Sequence, residues 1–294
     1  MISILIPTYN TDISKLVSNL YKQGTNCGID FEIISLDDGS ANEFKNQQKD
    51  NARILNYYKA EFNSKNIGRT ETRQKLAELA TYNWIVFLDA DVIPGNKNFI
   101  QNYINAIKKN NFDLCVGGLI YKNKKPENDK ILRWTYGRKK EMINAHKRSK
   151  KPYKIITSAN LMIRKEIFLK INRSLSGNFY GYDNIFSIKL KASNYKVLHI
   201  DNAVYHIGLE TNDKYLQKKE MAARTIHLFY HQGLLNSGDN NLLKTYKTIE
   251  KTGAKPLVKF LFKILKKPLK NNILSNNPSL NLLNFYRLGY FCSL

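Results

Sequence analysis

Asp89 and Asp91, separated by one residue, close a run of five apolar residues, Trp84-Ile85-Val86-Phe87-Leu88. A run of that length, rich in β-branched and aromatic residues, reads as a strand buried on both faces. Its acids then lie at the carboxyl edge of a sheet, where α/β proteins bind their ligands. Both side chains can turn toward one hard cation, and oxygen ligands suit Mg2+ or Mn2+. The same spacing also describes an acidic turn that caps the next helix. A third acid, Asp183, follows the glycine- and aromatic-rich stretch 177–182 and opens a helical pattern. It reads either as that helix's N-cap or as a general base that takes a proton from an attacking hydroxyl. Two histidines, His199 and His206, fall on the short apolar segments 196–200 and 203–207. Two aspartates leave a cation open positions, and imidazole is acceptable to Mn2+. A single histidine on an apolar strand is more often a hydrogen-bonded core residue, and His199 is read that way.

Elements to position these groups can be traced from the start of the chain. Residues 2–6 form an apolar strand that stops at Pro7-Thr8-Tyr9-Asn10. Thr11 or Asp12 can cap a helix whose apolar residues Ile13, Leu16, Val17 and Leu20 share one face. Residues 31–36 are a second strand, ending in Asp37-Asp38-Gly39-Ser40, and a third is expected over 53–58. A helix carrying Arg73, Leu76, Ala77, Leu79 and Ala80 precedes the Asp89 strand. This alternation marks a doubly wound, mostly parallel sheet flanked by helices. Thr8/Tyr9, Asp37/Asp38 and Asp89/Asp91 therefore gather at one edge. Asp37 reads as a turn acid ahead of Gly39, whereas a carboxylate in the place of Asp38 can hydrogen-bond a base or ribose. No GxGxxG follows the first strand and no GxxxxGK[ST] occurs, so Gly-rich capture of a dinucleotide or NTP is not expected. Further strands are expected over 113–121 and 155–163, and a long helix over 213–232.

Taken in order, ISILIPTYN, SLDDGS, NIGRTETRQKLA and WIVFLDADVIP resemble the nucleotide-sugar half of family 2 glycosyltransferases with the GT-A fold, over roughly the first 120 residues. The resemblance implies an inverting, metal-dependent hexosyltransferase. Its donor would be a nucleotide diphosphate sugar, UDP-linked in the simplest reading. Its acceptor would be a saccharide or lipid-linked saccharide of cell-surface polysaccharide synthesis. By the same resemblance Thr8 and Asp38 would touch base and ribose, with Pro7, Tyr9, Arg73 and Ala90 in the donor site. Asp89 would face ribose and metal, Asp91 would ligate Mn2+ or Mg2+ directly, and His206 would complete the metal site. Thr72 stands where the family has Ala before the arginine. Residues 177–190 resemble the Gly-x-Gly-x-Glu-Asp segment of the family and of the galactosyltransferase C-terminal module. Its proposed base falls on Asp183, and Tyr182 replaces the Glu. Phe179, Tyr180 and Tyr182 would offer an aromatic platform to the acceptor sugar.

Composition bounds the rest. The 294 residues, 43% hydrophobic, allow a large core and exclude a disordered chain. Three well-separated cysteines, Cys27, Cys115 and Cys292, match no metal spacing and suggest reduced thiols in a cytosol. The opening MISILIPTYN reads as a core strand rather than a leader. A net charge of +23 predicts attraction to polyanions. Residues 121–154 carry +10 and residues 242–294 carry +9. Nothing in the basic stretches resembles a nucleic-acid module, and no nucleic-acid partner is expected. Residues 255–270 pattern as a basic amphipathic helix, with lysines on one face and Leu257, Phe260, Leu261, Ile264 and Leu265 on the other, suited to an anionic membrane or to packing on the domain. The expected organisation is a GT-A domain over 1–232, with a donor half over 1–120 and an acceptor half over 121–232. A basic extension over 233–294 follows, in a cytoplasmic protein peripheral to the inner face of the plasma membrane. Two other readings are a nucleotidyltransferase on a related sheet and a non-catalytic polyanion-binding protein on a transferase scaffold.

Overall fold

A computed structural model describes residues 1–109, 111–174, 180–236, 238 and 240–294. The chain forms two compact units. The first comprises Met1–Tyr121, Glu141–Asn178 and Phe186–Gly208, the second Lys122–Lys140, Phe179–Ile185 and Leu209–Leu294.

The first unit is built on two sheets. Strands β1 (Ile2–Thr8), β2 (Phe31–Asp37), β3 (Tyr58–Phe62) and β4 (Trp84–Leu88) alternate with helices α1 (Ser14–Asn26), α2 (Asn42–Ile54) and α3 (Arg69–Leu79). After the short β5 (Val92–Pro94) come α4 (Phe99–Lys109), β6 (Leu114–Val116), β7 (Leu119–Ile120), α6 (Ala145–Ser149), β8 (Asn160–Arg164), α7 (Lys165–Arg173), β9 (Val197–His199) and β10 (Val204–His206). The main sheet runs β3-β2-β1-β4-β8-β6-β9, and β5-β10-β7 make a second, three-stranded sheet. β3, β2, β1 and β4 are mutually parallel, while β8 runs against both β4 and β6. Leu5, Ile33 and Phe87 are fully buried at the centre. Each such side chain contributes about 1.5–3 kcal/mol by leaving water. Helix α1 buries Leu16, Val17 and Leu20, the stripe its periodicity requires.

Four elements differ from the sequence reading. β1 continues through Pro7, which pairs with Leu36 of β2. β4 pairs with β1 only at Ser3–Leu5, so the missing proline N–H breaks no ladder. Residues 53–54 end α2 instead of opening a strand, with Ile54 in solvent, and β3 begins at Tyr58. Residues 113–121 are two strands in different sheets. The chain changes sheet at Gly117-Gly118, where Gly118 adopts φ +92°, a region that favours glycine. Residues 155–159 lie outside β8.

The second unit is helical, with α5 (Ile131–Tyr136), α9 (Asn212–His231), α10 (Asn241–Lys251), α11 (Lys255–Ile273) and α12 (Leu280–Ser293). Helix α8 (Tyr182–Ala192) starts in its residues. α9, expected to close the transferase domain before residue 233, clusters with α10–α12, and Tyr286 on α12 donates to Glu220 on α9 at 2.6 Å. α11 runs through Pro268. That proline lies on the exposed side, where water can take the carbonyl it leaves without a donor. No helix among the described residues is long and apolar enough to cross a membrane.

Candidate active site

β1 and β2 end side by side, and their exits are tied by side chains. The Asp38 N–H donates to Thr8 O at 2.9 Å. Asp37 takes the turn role expected of it, accepting from Gly39 N at 3.1 Å and Ser40 N at 2.8 Å. Asp38 is more engaged than its expected donor contact suggests. Its Oδ1 accepts from Ile67 N at 2.8 Å and Asn63 Nδ2 at 3.0 Å, and its Oδ2 from Gly68 N at 2.9 Å. A carboxylate has about four acceptor positions, so three are used to hold the loop that leads into α3. Asn10, which sequence reasoning passed over, sits at φ 45° and clamps both exits. Its N–H donates to Ser40 Oγ at 2.7 Å and its Oδ1 accepts from Ala41 N at 3.0 Å. Pro7 and buried Thr8 end β1, and Tyr9 projects its ring into solvent.

At the end of β4, Arg73 donates to Asp89 Oδ1 at 2.6 Å. Its Nε is buried without a hydrogen-bond partner. Thr72, in place of the family's Ala, donates from its hydroxyl to Gly68 O at 2.8 Å, which satisfies a polar group in a fully buried position. Asp89 is thereby held by Arg73. Ala90 lies half-buried between the two acids.

Asp91 pairs with His206, Oδ2 to Nε2 at 3.5 Å. The second sheet makes this pair. β10 runs antiparallel to β5 with His206 opposite Val92, and Ile207 N donates to Asp91 O at 2.9 Å. Gly208 has a role no sequence signal announced, because a β-carbon there would overlap the Asp91 carboxylate. The Tyr121 ring packs beside the imidazole at 5.5 Å, and its hydroxyl donates to Glu141. Among the described residues no group of three or more His, Cys, Asp or Glu side chains stands ready for a metal. Asp91 and His206 are the two that converge. His199 is structural, as read: its Nε2 lies 2.8 Å from Pro152 O, and burial lowers its pKa.

In the second unit, Asp183 is exposed in the first turn of α8, one residue inside the helix rather than before it. Tyr182 is buried, with its ring 6.1 Å from Phe229 of α9. Tyr180 is half-buried under the Lys218 ammonium, 5.6 Å from its ring centroid. Gly177, Asn178 and Phe179 lie outside the described residues.

The mixed sheet, with acids at the carboxyl ends of β2 and β4 and an imidazole brought to the second, is the GT-A architecture. Residues 3–171 match Glycosyl transferase family 2, more than half of the chain. The chain belongs to that family. The match ends before residues 177–190, so the galactosyltransferase-module resemblance rests on those residues alone. A processive diacylglycerol beta-glycosyltransferase of Mycoplasma genitalium is 31% identical over 127 residues, covering 40% of this chain and 34% of that protein. The chain thus spans about a third of that relative's length. A mannosyltransferase from Pyrobaculum calidifontis, solved with GDP-Man and Mn2+, superposes with a TM-score of 0.54 at 13% identity, over 76% of this chain and 61% of that one. Residues 1–349 of S. aureus TarS, solved with UDP-GlcNAc, give 0.51 at 17% identity, over 98% and 90%. At such identities the two structures establish a shared fold.

Proposed function

We propose that the protein is an inverting glycosyltransferase that moves a sugar from a nucleotide-diphosphate donor, UDP-linked, to a hydroxyl of a saccharide or lipid-linked saccharide in cell-surface polysaccharide synthesis. The observation that carries the reading is the pairing of Asp91 with His206 beside the Arg73–Asp89 ion pair. Family membership and the nucleotide-sugar complexes of the structural neighbours support it. Pro7, Thr8, Tyr9, Asp38 and Ala90 frame the donor by their place at the strand ends, and the Arg73 Nε is a donor awaiting an acceptor.

Asp91 and His206 fit a divalent cation. One carboxylate oxygen and one imidazole nitrogen form a mixed set that Mn2+ accepts, and Mg2+ through the oxygen. A bound cation supplies charge neutralisation for the departing diphosphate. The acceptor oxygen attacks the anomeric carbon, and the bond from that carbon to the diphosphate breaks with its electron pair on the leaving group. The Asp183 carboxylate takes the hydroxyl proton. Direct displacement turns an α-linked donor into a β-linked product. The Mycoplasma relative, named for a diacylglycerol acceptor, and the exposed apolar stripe of α11 favour an acceptor at a lipid surface.

A panel of nucleotide sugars with Mn2+ tests the reading through thermal unfolding. A true donor at a hundredfold excess over its Kd should add about 2.7 kcal/mol of stability. Slow Mn2+-dependent hydrolysis should accompany it and separate an enzyme from a binding protein. Absence of both with every donor would remove the enzyme reading. Gly208→Ala should retain the fold and displace the Asp91 carboxylate. Mn2+ affinity and transfer should both fall about 10- to 100-fold. Unchanged Mn2+ titration would detach Gly208 from the site.

A further inference from the structure

We propose that α11 is a membrane-docking helix that lies along an anionic bilayer with Leu257, Phe260, Leu261, Ile264 and Leu265 at the headgroup–acyl boundary. The sequence pattern offers two faces, but the folded helix has three. Phe262, Leu269 and Ile273 are buried. Phe262 packs edge-on against Tyr286 of α12 at 5.2 Å and lies over Gly289. The apolar stripe is a different face, and it is in solvent: Leu257 is 58% exposed, Phe260 61% and Ile264 58%. Packing on the unit has thus consumed other residues and left this row uncovered. Contiguous apolar surface of this kind marks an interaction site rather than scattered exposure. The third face holds Lys259, Lys263, Lys266, Lys267 and Lys270, all exposed. The helix has six lysines and no acid.

The charge of the surroundings selects the partner. The second unit carries 22 Lys/Arg against 8 Asp/Glu, net +14 of the chain's +23. Lys125, from the basic segment 122–140, donates to Asn276 O at 3.5 Å in the α11–α12 turn, which brings that segment's charge to the same helix pair. A second copy of the chain would meet this surface with the same sign. A nucleic acid would satisfy the lysines and leave the leucines wet. An anionic lipid surface satisfies both at once. Acyl chains cover the stripe, and lysines extend along its edge to the phosphates. The cytoplasmic leaflet of a plasma membrane has that character.

Vesicle sedimentation tests this. The full chain should bind vesicles of phosphatidylcholine with about 30% phosphatidylglycerol, bind pure phosphatidylcholine far less, and weaken with salt. Phe260→Asp/Ile264→Asp should lower the anionic-vesicle partition coefficient about tenfold or more. Lys259→Gln/Lys263→Gln/Lys267→Gln should lower it too and flatten the salt dependence. All five positions are exposed, so circular dichroism should match the parent. Donor hydrolysis, read in parallel, should be unchanged in both variants, which separates this surface from the transferase reading. Undiminished binding by the aspartate variant, or no binding by the parent, overturns the proposal. A dimer in light scattering that Phe260→Asp/Ile264→Asp dissolves would make the stripe an interface between copies and overturn it equally.

Discussion

Asp91→Asn is expected to reduce sugar transfer by about a thousandfold while the protein stays folded. The substitution keeps side-chain shape and removes the charge that, with His206 3.5 Å away, forms the proposed cation pair. Metal stabilisation of a leaving diphosphate is worth several kcal/mol, and about 4 kcal/mol corresponds to three powers of ten in rate. The neighbouring Asp89→Asn separates two roles. Asp89 is engaged by Arg73 at 2.6 Å, so its loss should raise the KM for donor more than it shifts the Mn2+ titration. The measurement is initial rate against Mn2+ concentration for both variants. A transfer rate for Asp91→Asn within about twofold of the parent would end the metal assignment.

Asp183→Asn should be comparably severe and differently silent. General-base catalysis contributes about 10²–10⁴ in rate, so transfer should fall by that order while UDP binding is kept. The alternative role is electrostatic. An acid in the first turn of α8 favours the helix by about 0.3–1 kcal/mol. Under that role asparagine would lower the melting temperature slightly and leave turnover intact. Calorimetric UDP titration beside a transfer assay distinguishes the two outcomes. Retained transfer returns Asp183 to a helix-stabilising function.

The parallel half of the main sheet was legible because its strands are continuous apolar runs with acids or polar residues directly after them. Residues 84–88 and 31–36 carry that signal, and the amphipathic period of α1 carries another. β3 lies four to five residues beyond the expected 53–58 because YKAEF buries only Tyr58 fully, which leaves no run and only a faint alternation. The break at Gly117-Gly118 was invisible because both halves are apolar, and only the three-dimensional change of sheet tells them apart. Among site residues, types and order indicated Asp89, Asp91 and His206, but not the ion pair that Arg73, sixteen positions earlier, makes with Asp89. That the Tyr182 ring lies beside Phe229 was not legible, because aromatic type alone does not say which way a ring points. Asn10 and Gly208 gave no signal: one acts through a left-handed backbone, the other through what it lacks. In α11 the pattern yielded two faces, since periodicity cannot tell which apolar row a neighbouring helix will choose.

β10 is the last strand among the described residues, and it brings His206 to an aspartate more than a hundred residues upstream. On the ribosome the acids emerge long before their imidazole, and β1–β4 can pair without it. Domains assemble from the N-terminus as they are synthesised, and closing so long a loop is left for late. A nascent chain halted before residue 204 would therefore present Asp91 with no imidazole beside it. The proposed cation pair is complete only after residue 206 has been synthesised and β10 has paired with β5.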